Sequence, residues 1–243
     1  MTVLSVNVNK IALLRNSRGR DFPSVVGFSE QLIKLGVKGI TVHPRPDERH
    51  ITRRDVYDLS EMLSGHPDVE FNIEGYPSES FIEMVCEVCP DQCTLVPDAP
   101  DQLTSDHGWN IPENQTALLK VLGEFREKGI RSSLFLDPDP AMVDQVPSVG
   151  ADRIELYTEE YASEYGGPGQ DAVFARYLAA AERATELGIG INAGHDLDLQ
   201  NLAKFLEIPN ILEVSIGHAL VVESLQMGVT DVIARYLAIV GGE

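Results

Sequence analysis

The sequence predicts a (β/α)8 (TIM) barrel, an α/β fold built from eight parallel strands. Three observations carry that expectation. The 243 residues are close to the roughly 250 that such barrels use. Short β-branched, apolar runs alternate eight times with longer stretches of helical period, and strand-then-helix is the order a parallel sheet requires. No repeat, low-complexity tract or linker interrupts the alternation, so residues 1–243 read as one domain.

The expected strands are residues 3–8, 39–43, 70–74, 92–96, 131–137, 153–157, 188–193 and 212–216. Between them, helical periodicity marks 25–35, 53–63, 79–88, 115–128, 171–187, 199–207 and 221–239. Thr52 and Ser78 stand where N-caps belong, and Gly36, Gly129 and Gly188 follow the last periodic residues of their segments as terminating glycines do. Val173, Tyr177, Ala180, Ala184 and Leu187 recur at spacings of three and four, a stripe that faces a sheet. Two connections are long, 97–114 with the only tryptophan, Trp109, and 158–170. Both follow strand C-termini, where barrels build active sites, so each is a candidate lid, insertion or oligomer contact.

The net charge of −19 is unevenly spread. Residues 1–54 hold ten Lys and Arg against four Asp and Glu, while residues 55–243 hold nine against thirty-four. Such a surface repels a phosphate backbone, which argues against nucleic acid, yet a small phosphorylated ligand near the basic N-terminal segment fits. No long apolar stretch offers a membrane span, and the start lacks the pattern of a signal peptide, so a cytoplasmic protein with no membrane partner is expected. Cys86, Cys89 and Cys93 are odd in number and crowded together, reading as reduced, mostly buried thiols; their spacing is also a weak metal-cluster signal.

In a barrel the chemistry comes from the C-terminal ends of the strands. There lie Asn7, Asn9 and Lys10 after the first strand, His43 and Arg45 after the second, Glu74 on the third, Glu155 on the sixth, His195 after the seventh, and Gly217 and His218 after the eighth. One histidine at a strand end is more often a hydrogen-bonded core residue than a catalyst. Three histidines and two glutamates on one face point instead to multistep proton transfer near neutral pH. Lys10, Arg15, Arg18, Arg20, Arg45, Arg49 and His50 offer cations for an anionic substrate, while Gly194 and Gly217 would let a phosphate approach the backbone. Arg53 and Arg54 read as a solvated helix start. His43, Glu74, His195 and His218 could also ligate a metal, although no His-x-His opens the barrel and no Asp ends the eighth strand. A Schiff-base lysine would need a central strand, and only Lys10 is near.

The segments VNVNKIALLRNSRG (6–19), GITVHPRPDERHI (39–51), NIEG (72–75), INAGHDL (191–197) and SIGHA (215–219) together resemble pyridoxine 5′-phosphate synthases, in the same order along nearly the whole chain. The resemblance implies a barrel with a few extra helices that assembles into a cytoplasmic homo-octamer and needs no organic cofactor or metal. It implies condensation of 1-deoxy-D-xylulose 5-phosphate with 3-amino-2-oxopropyl phosphate to pyridoxine 5′-phosphate, phosphate and water. By matched position, His43 and Glu74 are general bases, His195 the general acid and Glu155 a transition-state stabiliser. Asn7, Arg18, Gly217 and His218 match positions that bind the aminoketone phosphate, and Arg45, His50 and Thr104 those that bind the deoxyxylulose phosphate. Asn9 and Lys10 stand where many members have Asp-His at a substrate-contacting pair, and Asp196 where many have Gly. The competing readings are another sugar-phosphate isomerase or aldolase, and a non-catalytic barrel that binds a phospholigand.

Overall fold

The computed structural model describes residues 2–98 and 106–242. Strand β1 (Val3–Asn7) leads to helices α1 (Asn9–Asn16) and α2 (Val25–Lys34), β2 (Gly39–Val42) to α3 (Arg53–Leu63), and β3 (Glu70–Gly75) to α4 (Glu79–Val88). Then β4 (Gln92–Leu95) leads to α5 (Ile111–Glu127), β5 (Arg131–Leu136) to α6 (Pro140–Val143) and α7 (Val146–Val149), and β6 (Arg153–Tyr157) to α8 (Glu159–Glu164) and α9 (Gln170–Glu186). Finally β7 (Gly190–Gly194) leads to α10 (Leu202–Phe205), and β8 (Ile211–Ile216) to α11 (His218–Met227) and α12 (Val229–Gly241). The strands pair in sequence order, all parallel, and β8 closes on β1.

All eight expected strands form. The caps also form: Thr52 and Asp55 make a reciprocal capping box, Ser78 accepts from the Phe81 N–H, and Gly36, Gly129 and Gly188 adopt positive φ. Two expected helices change. Residues 221–239 divide into α11 and α12 at Gly228, whose φ of +86° ends the first. The 199–207 segment shrinks to α10 because the Asp198 carboxylate takes the N–H groups of Gln200 and Asn201 and builds a turn instead. Helices α1, α6, α7 and α8 are too short for periodicity to announce. Of the three thiols, Cys93 is buried and Cys86 half-buried, but Cys89 is exposed: it takes φ +50° to end α4, with its thiol 3.2 Å from the Cys86 carbonyl.

The apolar core lies between sheet and helices. Leu4, Val6, Ile40, Val42, Ile73 and Ile154 are buried against a jacket that includes Leu32, Val56, Leu59, Phe125, Tyr177 and Ala180. Burying each large side chain stabilises by roughly 1.5–3 kcal/mol. The alternate strand positions are polar. Ser5 and Thr41 share a 2.7 Å hydrogen bond, Asn72 donates to Thr41 at 3.3 Å, and Thr94 donates to Asn72 at 3.1 Å. Nearer the strand N-termini, Asn192 and Arg131 both donate to Gln92, Arg153 donates to Asn192, and Arg153 lies 3.5 Å from Glu213. A polar lumen inside an apolar jacket explains why strands such as VLSVN and EFNIE alternate, where parallel strands more often run continuously apolar. Among the described residues no helix is long and apolar enough to cross a membrane.

Candidate active site

Each strand C-terminus aims its last lumen-facing residue at one mouth. Asn7, at the end of β1, organises two neighbours: its amide donates to Glu74 Oε2 at 3.4 Å, and its side-chain carbonyl oxygen takes the Asn9 N–H at 3.0 Å. Asn9 in turn accepts the His43 backbone N–H at 2.9 Å. This chain of amides sets His43 beside Glu74, with Nδ1 3.9 Å from Oε2. The His50 ring meets His43 edge-on at 6.3 Å.

Burial and charge tune these groups in opposite directions. Desolvation, with Arg45 next in importance, holds His43 well below the ordinary imidazole value, so it is neutral near pH 7 and can accept a proton. His50 is pushed down to about 4, chiefly by burial, then by Arg45 and Arg49. Burial first, and the nearby Glu155 carboxyl second, hold Glu74 well above the usual carboxylate range. That moves a weak base toward the strength a general base needs. Glu155 is raised to about 8 by burial and by Glu213, so near pH 7 it is largely protonated. Its fit depends on β7: a Cβ on Gly194 would lie 2.5 Å from Glu155 Oε1. Gly194 therefore makes room for a carboxyl rather than opening the backbone to phosphate, as its place in the sequence suggested.

His195 and Asp196 follow β7 with φ of +93° and +55°, a left-handed pair without glycine. The His195 ring is edge-on to Tyr157 at 5.0 Å and to Phe135 at 6.2 Å. Burial lowers its pKa despite the opposing pull of Asp196, Asp98 and Glu159. A bound phosphate dianion would push the same pKa back up.

Among the expected cation sites, Arg45 is buried and its guanidinium lies 2.5 Å from Asp98, also buried. Lys10 sits in the first turn of α1, and its charge reaches both His50 and His195. Arg15 is different from its expected role: it clamps the Asp55 carboxylate and so ties α1 to α3. Arg18 and Arg20 lie on the exposed turn after α1, where Arg18 makes no side-chain hydrogen bond or ion pair among the described residues. Gly217 and the exposed His218 open α11, whose first turn has no side-chain cap, leaving backbone N–H groups available to an anion. Thr104 lies outside the described residues. A cavity of about 190 Å³ beside His43 is lined by Arg45, Tyr76, Phe81, Met84 and Asp98 among others. Among the described residues, no three His, Cys, Asp or Glu side chains are grouped to hold a metal ion.

Asp98, Tyr157 and Thr158 were not singled out from the sequence. Thr158 follows β6 fully buried, and Asp98 lies in the long connection after β4, where nothing in the sequence sets it apart from the other acids.

Eight parallel strands whose C-terminal ends converge on bases of shifted strength, beside an uncapped helix N-terminus after the last strand, define a barrel enzyme of acid–base chemistry. Comparison with known proteins narrows the class. Residues 4–242 match the family described as "Pyridoxal phosphate biosynthesis protein PdxJ", and the chain belongs to that family. It is 52% identical to the pyridoxine 5′-phosphate synthase of Bacteroides thetaiotaomicron over 237 residues, covering 97% of this chain and 98% of that protein. It is 49% identical to the enzyme of the same name from Flavobacterium johnsoniae over 98% of both chains. Among solved structures, phosphoribosyl anthranilate isomerase from Thermotoga maritima superposes over 100% of both chains with a TM-score of 0.64 at 13% identity, a likeness of fold.

Proposed function

We infer that the chain catalyses the pyridoxine 5′-phosphate synthase reaction, a ring-closing condensation in pyridoxine biosynthesis. The substrates are 1-deoxy-D-xylulose 5-phosphate and 3-amino-2-oxopropyl phosphate, and the products are pyridoxine 5′-phosphate, phosphate and water. The observation that carries this reading is the membership of the whole chain in the family together with the His43–Glu74 pair at the barrel mouth.

Imine formation, dehydration, phosphate loss and aromatisation each move protons, which is why one base does not suffice. Glu74 and His43 remove protons from the condensing carbon skeleton. His195 delivers a proton to a leaving hydroxyl. Glu155, protonated before substrate arrives, ionises as positive charge develops and stabilises it. Asn7, Arg18, Gly217 and His218 hold the aminoketone phosphate, the last two at the α11 N-terminus. Arg45, His50 and Thr104 hold the deoxyxylulose phosphate, and Asn9, Lys10 and Asp196 make further substrate contacts. Residues 1–243 act as one domain, with no metal or organic cofactor, in a cytoplasmic homo-octamer. Keeping every proton-transfer group disfavours a purely binding barrel.

The test is a coupled assay with both substrates, the aminoketone phosphate generated in place, following pyridoxine 5′-phosphate and phosphate together. Stoichiometric appearance of both is expected. Binding of both substrates without either product would overturn the reading, and a new product from the deoxyxylulose phosphate alone would favour an isomerase or aldolase.

A further inference from the structure

The geometry points to Thr158 as a positioning residue for the reaction, its hydroxyl holding the His195 backbone in the left-handed conformation that presents the ring to the barrel mouth. The inference rests on the reading of His195 as proton donor, and three observations carry it.

The first is conformational. Two consecutive non-glycine residues, His195 and Asp196, have φ of +93° and +55°, a backbone that L residues avoid unless surrounding bonds impose it. The second is the set of bonds that impose it. The Thr158 hydroxyl, fully buried, lies 2.7 Å from the Gly194 carbonyl oxygen and 2.5 Å from that of His195. Asn201 donates to the Asp196 carbonyl at 3.1 Å and is itself fixed by the Tyr161 hydroxyl on its own carbonyl at 2.8 Å. Three successive carbonyls, those of Gly194, His195 and Asp196, thus meet donors from outside their own strand. The third observation separates this from ordinary sheet pairing. The Thr158 backbone N–H already reaches Gly194 at 3.0 Å and continues the β6–β7 ladder, so the hydroxyl is not needed to join the strands. What it adds is a contact one peptide further on, where the strand has ended and the left-handed turn begins.

A ring placed by such a turn moves when the turn relaxes. Tyr157 and Phe135 fix its edge-on orientation, but neither holds the backbone from which it projects. Losing the hydroxyl therefore misplaces the proton donor while leaving the phosphate-binding groups of β1, β2 and α11 where they are.

Thr158→Val and Thr158→Ser are compared with the unaltered enzyme in the coupled assay, per folded protein, with His195→Gln measured alongside. Thr158→Val should lower kcat about 10- to 100-fold with the KM for the aminoketone phosphate, whose binding groups lie outside this turn, within about threefold, because small misplacements of a catalytic group cost rate rather than binding. Thr158→Ser, which keeps the hydroxyl, should stay within about threefold of the unaltered kcat. Unchanged kcat in Thr158→Val, or a loss in Thr158→Ser as large as in Thr158→Val, overturns the inference. Thr158→Ala carries the same readout if valine prevents folding. Unaltered turnover in His195→Gln would instead defeat the reading of His195 itself, so the two failures are distinct.

Discussion

The Nδ1 atom of His43 stands 3.9 Å from Oε2 of Glu74, too far for a hydrogen bond. The gap is held by Asn7, which donates to Glu74, and through Asn7 by Asn9, which accepts from the His43 backbone. Because neither base spends its lone pair on the other, the site offers two acceptors side by side. A condensation that loses several protons in sequence can use both.

Replacing Glu74 by Gln keeps the shape of the side chain and removes its basicity. Turnover should fall by about 10²- to 10⁴-fold, the range expected for a general base. The melting temperature should stay within a few degrees, since the variant no longer holds an ionisable carboxyl in a desolvated place. Full activity in the coupled assay would contradict the assignment.

Glu74 works as a base only when ionised, and its pKa is raised by burial and then by Glu155. Activity should therefore climb with pH along a limb well above the usual carboxylate range, while His43, lowered instead, is already neutral there. Glu155 itself ionises only at about 8 and then opposes the ionisation of Glu74, so in Glu155→Gln the alkaline part of the kcat/KM limb should move to lower pH whatever the drop in kcat. A limb that stays in place would show that Glu155 does not act on Glu74.

Gly194→Ala sets a methyl 2.5 Å from Glu155 Oε1. The carboxyl must turn away or β7 must shift, with a stability loss of about 1–3 kcal/mol of the kind overpacking brings. Denaturant titration should report that loss and the coupled assay a reduced kcat. Normal values of both would mean that the carboxyl has somewhere else to go.

Glu213 is buried at the other end of the lumen, with its pKa raised from 4.5 to about 7 by burial, against the pull of Arg153. A folded chain that holds this proton while the unfolded chain has released it is stabilised at low pH, and loses that advantage as pH rises from about 4.5 toward 7. Stability should decline across this window, by about 3 kcal/mol from this group. Glu213→Gln should flatten the decline in melts taken at pH 5 and pH 8. An unchanged slope would remove Glu213 as its source.

The strands were legible because β-branched runs with polar alternates are a strong local signal, and once eight were placed their C-terminal residues marked His43, Glu74, Glu155 and His195 as neighbours. What stayed hidden was set by distant geometry. Nothing in the run LYTEEY says that the Thr158 hydroxyl will meet carbonyls thirty-six and thirty-seven residues on, because that meeting depends on the backbone angle of His195. Asp98 read as one acid in a loop of acids until Arg45 was found against it. Arg15 looked like a ligand-binding cation, and only the placing of Asp55 on α3 within its reach made it a strut. Short helices such as α8, six residues long, lack the turns that a period of 3.6 needs to become visible.

The division between a polar lumen and an apolar jacket also acts on how the barrel assembles. Since the two kinds of residue alternate with a period of two, a strand that paired one residue out of step would turn Leu4 and Val6 inward and put Ser5 and Asn7 under the helices. Each of the eight joints would then bury unmatched polar groups in an oily layer. The same alternation that delivers Asn7 and Glu74 to the mouth thus proofreads the closure of the ring, so that only the correctly stitched barrel is a stable one.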